Sequence, residues 1–417
     1  MKIIHAEVIT IGDEILYGQI TDTNTQYISA GLDKIGIKTL RKSSIGDDRD
    51  EILGILQESS KRADVVLITG GLGPTKDDIT KKTLSDFTED HLVRDQRVVE
   101  HLKQLFEKFG RELREINLQQ ADLPSKCTYL HNAVGTAPGM WFEHQGTIFI
   151  SMPGVPFEMK YIMEHEVIPR LKEHFARPVI LHEVIRTAGI GESWLAERIE
   201  SWEDQLPDHI KLAYLPNLGQ VRLRLTGIGP EEKKLKAELD LEKQKLYPLI
   251  KEFFYGEGDE DLELTIARLL LQNNATLGTA ESCTGGYLAH SITANPGSSA
   301  YYLGSVISYS NQVKMDLLGV KEETLMTHGA VSEETVIQMA EGARKALKTT
   351  YALSTSGIAG PDGGTPEKQV GTIWIACAGP QGTIARKIVS TKDRVTNIQY
   401  GSKVALNLLR KVILNEI

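Results

Sequence analysis

The stretch GTAESCTGG, from Gly278 to Gly286, lies between an apolar run and the helix-like segment YLAHSITA. A strand that passes directly into a helix is the repeating unit of an α/β domain. A loop that only reverses the chain does not need a glutamate, a serine, a cysteine, a threonine and two glycines together. The stretch therefore predicts an α/β sheet with a functional loop at its edge.

The rest of the chain extends this pattern into three predicted domains. A chain of 417 residues is too long for one ordinary core. Strands and helices alternate over residues 1–170 and again over 256–417, which is typical of α/β sheets. Residues 171–255 have a different composition and predict a small α+β module, with a hairpin that turns at PNLG, Pro216–Gly219.

Composition excludes several classes of protein. The formal net charge of −9 argues against direct nucleic-acid binding and against an anionic membrane as the main partner. No run reaches the ~18 apolar residues of a membrane span, and the N-terminus is not typical of a signal peptide. The three cysteines, Cys127, Cys283 and Cys377, are sparse and odd in number, which favours a reducing cytoplasm over a disulfide framework.

Three loops near the N-terminus each follow a predicted strand: GDEI, TGGLGPTKDDIT and MPGVPFEM. In open α/β sheets ligands bind at this edge, and glycines let the backbone approach an anion. The expected substrate contacts in these loops are Gly70, Gly71, Gly73, Thr75, Pro153 and Gly154. The nearby aspartates would repel a bare phosphate, and they fit a diphosphate bridged by a divalent cation such as Mg²⁺. Alternatively, Asp77 and Asp78 only favour the N-terminus of a helix.

In the middle module, TAGIGES (Thr187–Ser193) is reminiscent of the GXXG loop of KH domains. The spacing here is Gly189-x-Gly191, so the match is poor. We expect a structural spacer or a dimerisation module, with nucleic-acid binding as the weaker alternative.

In the C-terminal domain, Ser282 lies where a strand passes into a helix, as a nucleophile does at a nucleophile elbow. The turn after it offers backbone donors for an oxyanion. His290 and His328 are poorly placed in the sequence to serve as its base. Lys314, in the helix after Tyr309, becomes a possible base if burial or a nearby cation lowers its pKa. Cys283 is the rival nucleophile.

A second glycine-rich loop, Ser354–Thr372, also follows a strand and predicts a phosphate or ribose cradle. The simpler alternative is a long flexible connection. Within this loop the expected contacts are Ser356, Gly357 and Gly360. Arg394 is expected either to bind a substrate phosphate or to supply the cation beside the lysine.

Four blocks in this order, TAESCTGG, YSNQVK, GAVS and SGIAGPDGG, resemble the nicotinamide-nucleotide amidase domain that ends proteins of the CinA family. That resemblance implies hydrolysis of nicotinamide mononucleotide (NMN) to nicotinate mononucleotide and ammonia, without a metal. It implies Ser282 as the nucleophile, Lys314 as its base and Tyr309 as a proton relay. Further substrate contacts are expected at Glu281, Thr284, Gly285 and Gly286, with the oxyanion held by the turn from Thr284 to Gly286.

The N-terminal loops, with GDEILYGQITDTN, resemble the molybdopterin-binding (MoaB/MogA-like) domain that begins CinA proteins. This resemblance implies a three-layer α/β fold, a homodimer, and a metal-dependent pyrophosphatase that acts on ADP-ribose. The candidate metal ligands are Asp22, Asn24, Asp47, Asp77 and Asp78. Two alternatives stay open: a pterin-binding pocket without hydrolysis, and a regulatory protein associated with competence or DNA damage.

Overall fold

The computed structural model describes residues 3–75, 78–176, 178–390 and 393–416. The chain divides into two compact units, Met1–Leu181 with Ile228–Lys236, and His182–Gly227 with Ala237–Ile417. The predicted middle module is therefore shared between them, with most of it in the second unit. The domain boundaries predicted at residues 170 and 255 stay predictions.

The first unit is built around a six-stranded sheet in the order β2-β1-β3-β8-β7-β6. The first four of these strands are parallel, and β7 and β6 are antiparallel. The strands of this region are β1 (Ile4–Ile11), β2 (Ile37–Ile45), β3 (Val65–Thr69), β4 (Leu92–Arg94), β5 (Asp122–Pro124), β6 (Thr128–Leu130), β7 (Gly139–His144) and β8 (Thr147–Met152). Its helices are α1 (Asp13–Leu16), α2 (Thr23–Lys34), α3 (Arg49–Ser59), α4 (Thr80–Phe87), α5 (Gln96–Lys108), α6 (Glu115–Leu118), α7 (Pro156–Ile162) and α8 (Ile168–His174).

Helices cover both faces of this sheet, because its central strands are apolar on both sides. Val65 and Leu67 of β3 pack into one core with α2, α7 and α8, whereas Val66 and Ile68 pack into another with α3, α4 and α5. Successive residues of a strand point to opposite faces, so a continuous apolar run fills two cores at once. The predicted three-layer α/β fold is confirmed.

The middle module has a four-stranded sheet in the order β10-β11-β9-β12. Its elements are β9 (Val179–Ala188), α9 (Glu192–Glu203), β10 (Ile210–Asn217), β11 (Gln220–Gly229), α10 (Glu232–Ile250) and β12 (Phe254–Glu257). Strands β10 and β11 pair from Ile210↔Gly227 to Asn217↔Gln220, which confirms the predicted hairpin. Its two-residue turn contains Gly219 with φ +69°, a conformation that glycine adopts without strain.

The C-terminal domain has a five-stranded sheet in the order β14-β13-β15-β16-β17. Strands β14, β13 and β15 are parallel, and the last two are antiparallel. The elements are α11 (Leu262–Gln272), β13 (Leu277–Glu281), α12 (Tyr287–Thr293), β14 (Tyr302–Ile307), α13 (Asn311–Leu318), α14 (Glu322–His328), α15 (Glu333–Leu347), β15 (Tyr351–Gly357), β16 (Thr372–Gly379), β17 (Gly382–Val389) and α16 (Arg394–Leu414).

This sheet is also covered on both faces. Helix α15 contributes Val336 and Ala340 to a small core with β16, while α11 and α16 form a larger core on the strands. In the described part of the chain, no helix is both long enough and apolar enough to span a bilayer.

Candidate functional site

The strand-to-helix turn after β13 holds Ser282 at the carboxyl edge of the parallel strands. The Ser282 N–H donates to the carbonyl of Thr355 on β15 at 2.9 Å, which ties the turn to the sheet. Gly285 and Gly286 follow with φ of +57° and +100°, values that L side chains rarely adopt. The two glycines therefore let the chain turn sharply into α12 and leave Ser282 at the edge of the sheet.

Glu281, a predicted substrate contact, holds this turn together and does not line the pocket beside Ser282. Its side chain is 0% exposed. Its Oε2 accepts from the N–H groups of Gly286 at 2.9 Å and Leu288 at 3.1 Å, and its Oε1 accepts from Ala289 N at 2.8 Å. Because the first N–H groups of a helix have no partner inside the helix, a buried carboxylate satisfies them.

The residues predicted to contact substrate at Thr284, Gly285 and Gly286 also do not line this pocket. The Thr284 hydroxyl is 2.7 Å from both Glu281 Oε2 and Thr355 Oγ1, and the residue is buried. The Gly285 N–H donates to the carbonyl of Ser282, and the Gly286 N–H is bound by Glu281. Within the described residues, the turn's remaining free N–H donors are those of Cys283 and Thr284.

Lys314 lies in the first turns of α13 and points its amine at Ser282. Nζ is 3.1 Å from Ser282 Oγ, 2.7 Å from the carbonyl of Ser308 and 3.4 Å from the carbonyl of Tyr309. The side chain is 1% exposed. Within the described residues, no carboxylate forms an ion pair with this amine.

This environment suits a neutral amine. Burial lowers the pKa of Lys314 below its ordinary value of 10.5. A neutral amine has two N–H donors and one lone pair. Its surroundings match this set. The carbonyls of Ser308 and Tyr309 can accept from the two N–H donors, and the Ser282 hydroxyl can donate to the lone pair. The lone pair of Lys314 is thus available to accept the serine proton.

Tyr309 and Arg394 lie at the mouth of the pocket. Tyr309 is 64% exposed, and its hydroxyl is 3.3 Å from Arg394 Nη2. It is the backbone carbonyl of Tyr309, not the hydroxyl, that contacts Lys314. Among the described residues, the tyrosine hydroxyl therefore has no contact with Ser282 or Lys314 through which the predicted proton relay could run. The other guanidinium nitrogen of Arg394, Nη1, donates to the carbonyl of Gly360 at 2.6 Å.

The pocket beside Ser282 has a volume of about 210 Å³. Of the expected contacts, Ser356, Gly357 and Arg394 line it, whereas Gly360 does not and is hydrogen-bonded to Arg394 through its carbonyl. The Ser356 hydroxyl donates to the carbonyl of Ala330 at 2.6 Å, so it fixes the pocket wall. Sequence reasoning did not single out the lining residues Asn311, Ala330 and Val331, although they lie in the YSNQVK and GAVS blocks.

Cys283 also lines this pocket, but its thiol is poorly activated. The residue is 5% exposed, and burial raises its pKa to about 12. A thiol acts as a nucleophile through its thiolate. At neutral pH Cys283 is therefore protonated, and the geometry favours Ser282, which has the lysine beside it.

In the first unit, the loops after β1, β3 and β8 converge on a cleft of about 460 Å³, because those strands are parallel neighbours. The cleft is lined by five of the predicted contacts: Gly70, Gly71, Gly73, Pro153 and Gly154. Gly70 has φ +114°, and a Cβ there would lie 2.0 Å from the carbonyl oxygen of Ile11. Only glycine fits where these loops approach so closely. Thr75 does not line the cleft, since its N–H and hydroxyl bind Asp78.

The predicted metal ligands Asp22, Asn24, Asp47 and Asp78 line the same cleft, while Asp77 lies outside the described residues. Asp22 also caps α2, because its Oδ1 accepts from Thr25 N at 2.9 Å. Over the four described ranges, no three His, Cys, Asp or Glu side chains come close enough together to hold a metal ion by themselves. A metal here would need oxygens from its ligand as well.

Two features of the cleft point to a ligand. Asn24 is 6% exposed, and its Nδ2 donates to the carbonyl of Gly154 at 2.7 Å, but its buried Oδ1 has no partner within the described chain. Glu158, which sequence reasoning missed, lines the cleft at 9% exposure and accepts from Asn132 Nδ2 at 2.6 Å. Burial raises the pKa of Glu158. The only sequence signal for it was its place in MPGVPFEM.

Comparisons with known proteins cover the chain in three successive parts. The probable molybdopterin binding domain matches residues 7–173, the damage-inducible protein CinA KH domain matches 182–256, and the CinA C-terminal domain matches 259–413.

Two curated relatives match along nearly the whole chain. A CinA-like protein of Cytophaga hutchinsonii is 52% identical over 408 residues, and one of Flavobacterium psychrophilum is 48% identical over 411 residues; each match covers 98% of both chains. Among solved structures, the competence/damage inducible protein CihA from Agrobacterium tumefaciens is 37% identical, covers 37% of this chain and 94% of its own, and has a TM-score of 0.36.

Proposed function

The chain belongs to the CinA family, and we propose that its C-terminal domain hydrolyses the carboxamide of NMN with Ser282 as the nucleophile and Lys314 as the base. The observation that carries this proposal is the 3.1 Å contact between Ser282 Oγ and the buried amine of Lys314, which has no carboxylate partner within the described residues. A serine hydroxyl is a weak nucleophile until a base accepts its proton.

In the first half-reaction, neutral Lys314 accepts the proton of Ser282 while Oγ attacks the carboxamide carbon. The free N–H groups of Cys283 and Thr284 are the donors that we assign to the oxyanion, in place of the turn from Thr284 to Gly286. Collapse of the tetrahedral intermediate breaks the C–N bond, and the protonated lysine returns its proton to the leaving ammonia. Water, deprotonated by the same amine, then attacks the acyl carbon; the ester bond breaks, and the amine returns that proton to Ser282 Oγ as the free acid leaves.

The size of the pocket supports a substrate that enters only in part. Pockets that enclose a drug-sized ligand measure about 300–1,000 Å³, and this one measures about 210 Å³. A flat pyridine ring with its amide suits the interior. The phosphate of a mononucleotide would then lie at the mouth, where the exposed guanidinium of Arg394 offers charge-assisted hydrogen bonds.

Ammonia release from NMN and from nicotinamide riboside, which lacks the phosphate, tests this proposal. Arg394→Gln should raise the KM for NMN by about 10–100-fold, the worth of one hydrogen bond to a charged group, and leave the riboside unchanged. Lys411→Gln, a change of charge in the same helix outside the pocket, is the control. Wild-type protein that releases no ammonia from either compound would exclude the amidase function.

For the N-terminal domain we propose hydrolysis of the diphosphate of ADP-ribose with Mg²⁺. Mg²⁺ is usually held by one or two carboxylates together with substrate phosphates, so Asp22, Asp47 and Asp78 with the unpartnered Asn24 Oδ1 provide suitable donors. A bound divalent cation would supply charge neutralisation at the diphosphate oxygens and a more acidic water. Glu158, which lines the same cleft, would serve as the proton acceptor in this hydrolysis.

Formation of AMP and ribose 5-phosphate from ADP-ribose is the test. Asp78→Asn should lower the rate and weaken the dependence on Mg²⁺, whereas Asp86→Asn, an aspartate of α4 outside the cleft, should change neither. Tight pterin binding without AMP release would favour the alternative of a pterin pocket.

A further inference from the structure

A third cavity, of about 740 Å³, lies within the second unit and shares no lining residue with the Ser282 pocket. Its wall is formed by the loop before α9, by the turn between β10 and β11, and by α16. The turn is held to the loop by a hydrogen bond from Gly189 N to the carbonyl of Gly219 at 3.2 Å. Neither of the activities proposed above uses this cavity.

The cavity contains an unsatisfied buried donor. Gln220 is 6% exposed, and its Oε1 accepts from the Tyr255 hydroxyl at 3.2 Å. The Nε2 group of Gln220 has no partner within the described residues. Buried polar groups are nearly always paired, and an acceptor on a bound ligand would satisfy this N–H.

A second set of donors lies at the N-terminus of α9, a helix of 12 residues. Its cap, Gly191, provides no side-chain hydrogen bond, and the first-turn N–H groups of Glu192, Ser193 and Trp194 have no acceptor in the described chain. The start of a helix carries about half a positive charge, and its free N–H groups bind anions such as phosphate.

The same wall offers a flat apolar surface. Trp194 lines the cavity with 69% of its surface exposed, and Phe253 and Tyr400 line it as well. Two further charged groups face the cavity. Lys403 forms an ion pair with Glu263 at 2.6 Å. The Glu192 carboxylate would repel a bound anion. The ligand that matches these features has a flat ring, hydrogen-bond acceptors and an anionic group.

We propose that this cavity binds a nucleoside monophosphate. The phosphate lies at the first turn of α9, the base packs on Trp194, and Gln220 Nε2 donates to an acceptor of the ligand. The proposal does not depend on either proposed hydrolytic activity.

Titration of the full-length protein with AMP, followed by tryptophan fluorescence, tests the proposal. The chain has four tryptophans, so Trp194→Phe is measured in parallel to isolate the signal of Trp194. We expect a saturable change that is lost in Trp194→Phe. Adenosine should bind at least about tenfold more weakly because it lacks the phosphate, and inorganic phosphate should compete with AMP.

Two variants outside both proposed active sites should shift the affinity for AMP in opposite directions. Glu192→Gln removes a like charge and should tighten AMP binding about two- to fivefold. Gln220→Leu removes the unpaired donor and should weaken binding about two- to tenfold. If Gln220→Leu does not fold, the sign of the Glu192→Gln shift decides. An absent AMP response, a weaker affinity in Glu192→Gln, or a Trp194 signal that follows protein concentration and not AMP would each overturn the proposal.

Discussion

Replacing Lys314 should separate catalysis from stability. Lys314→Met keeps an unbranched stem in a site that is 1% exposed and removes the amine. Loss of a general base lowers the rate by about 10²–10⁴-fold. The fold loses hydrogen bonds to the carbonyls of Ser308 and Tyr309, worth about 1 kcal/mol each, but no longer buries an amine. We therefore expect a change of no more than about 2 kcal/mol in the free energy of unfolding.

Lys314→Arg is the matched variant, because it keeps a cation but has no lone pair at any accessible pH. It should be as inactive as Lys314→Met. It should also be less stable, since a larger and permanently charged group must fit the same buried site, at a cost of about 1–3 kcal/mol for overpacking alone. Ammonia release from NMN and thermal unfolding measure the two effects. Activity within tenfold of wild type in Lys314→Arg would refute the role of the neutral amine.

The lowered pKa also predicts how stability depends on pH. Between the folded-state pKa of Lys314 and the ordinary value of 10.5, the unfolded chain binds a proton that the folded chain does not. Stability from this group therefore rises with pH across that window, and below it the cost of burying the charge is fully present. Lys314→Met should lose this rise. If the stability–pH curves of the two proteins are parallel, the pKa of the Lys314 amine is not lowered in the folded protein.

Three further predictions concern single side chains. Cys283→Ala should keep most of the ammonia release and Ser282→Ala should abolish it, because the pKa of the buried thiol is raised to about 12; the reverse result would make the cysteine the nucleophile. Glu281→Gln should destabilise the fold by about 1–3 kcal/mol, because its amide nitrogen would face a backbone N–H. Denaturant unfolding measures this change, and unchanged stability would contradict the capping role. Glu158→Gln should remove the acidic limb of the pH profile of ADP-ribose hydrolysis. The base must be deprotonated to act, and burial raises the pKa of this carboxyl. A profile that keeps the acidic limb would exclude Glu158 as the base.

Much of the fold was predictable because its signals are local. The run DVVLITGG predicts a buried strand from its β-branched residues and a turn from its glycines, and β3 forms there with cores on both faces. The convergence of three glycine loops followed from the rule that parallel strands end at one edge. The module at residues 171–255 was harder to assign, because contacts between distant segments decide which unit a strand joins.

The sequence alone determined the α/β class, the hairpin at Gly219 and the chemical types of the candidate residues, since propensity and alternation act over a few neighbouring residues. The tertiary structure decided which of these side chains contact each other. It brought Lys314 to Ser282 across 32 residues, and it gave Glu281 the backbone N–H groups at the start of a helix as partners. It also placed Glu158 in the cleft, and it left Asn24 Oδ1 and Gln220 Nε2 buried without partners. Burial and hydrogen-bond pairing depend on how distant segments pack, and these are the properties that set reactivity.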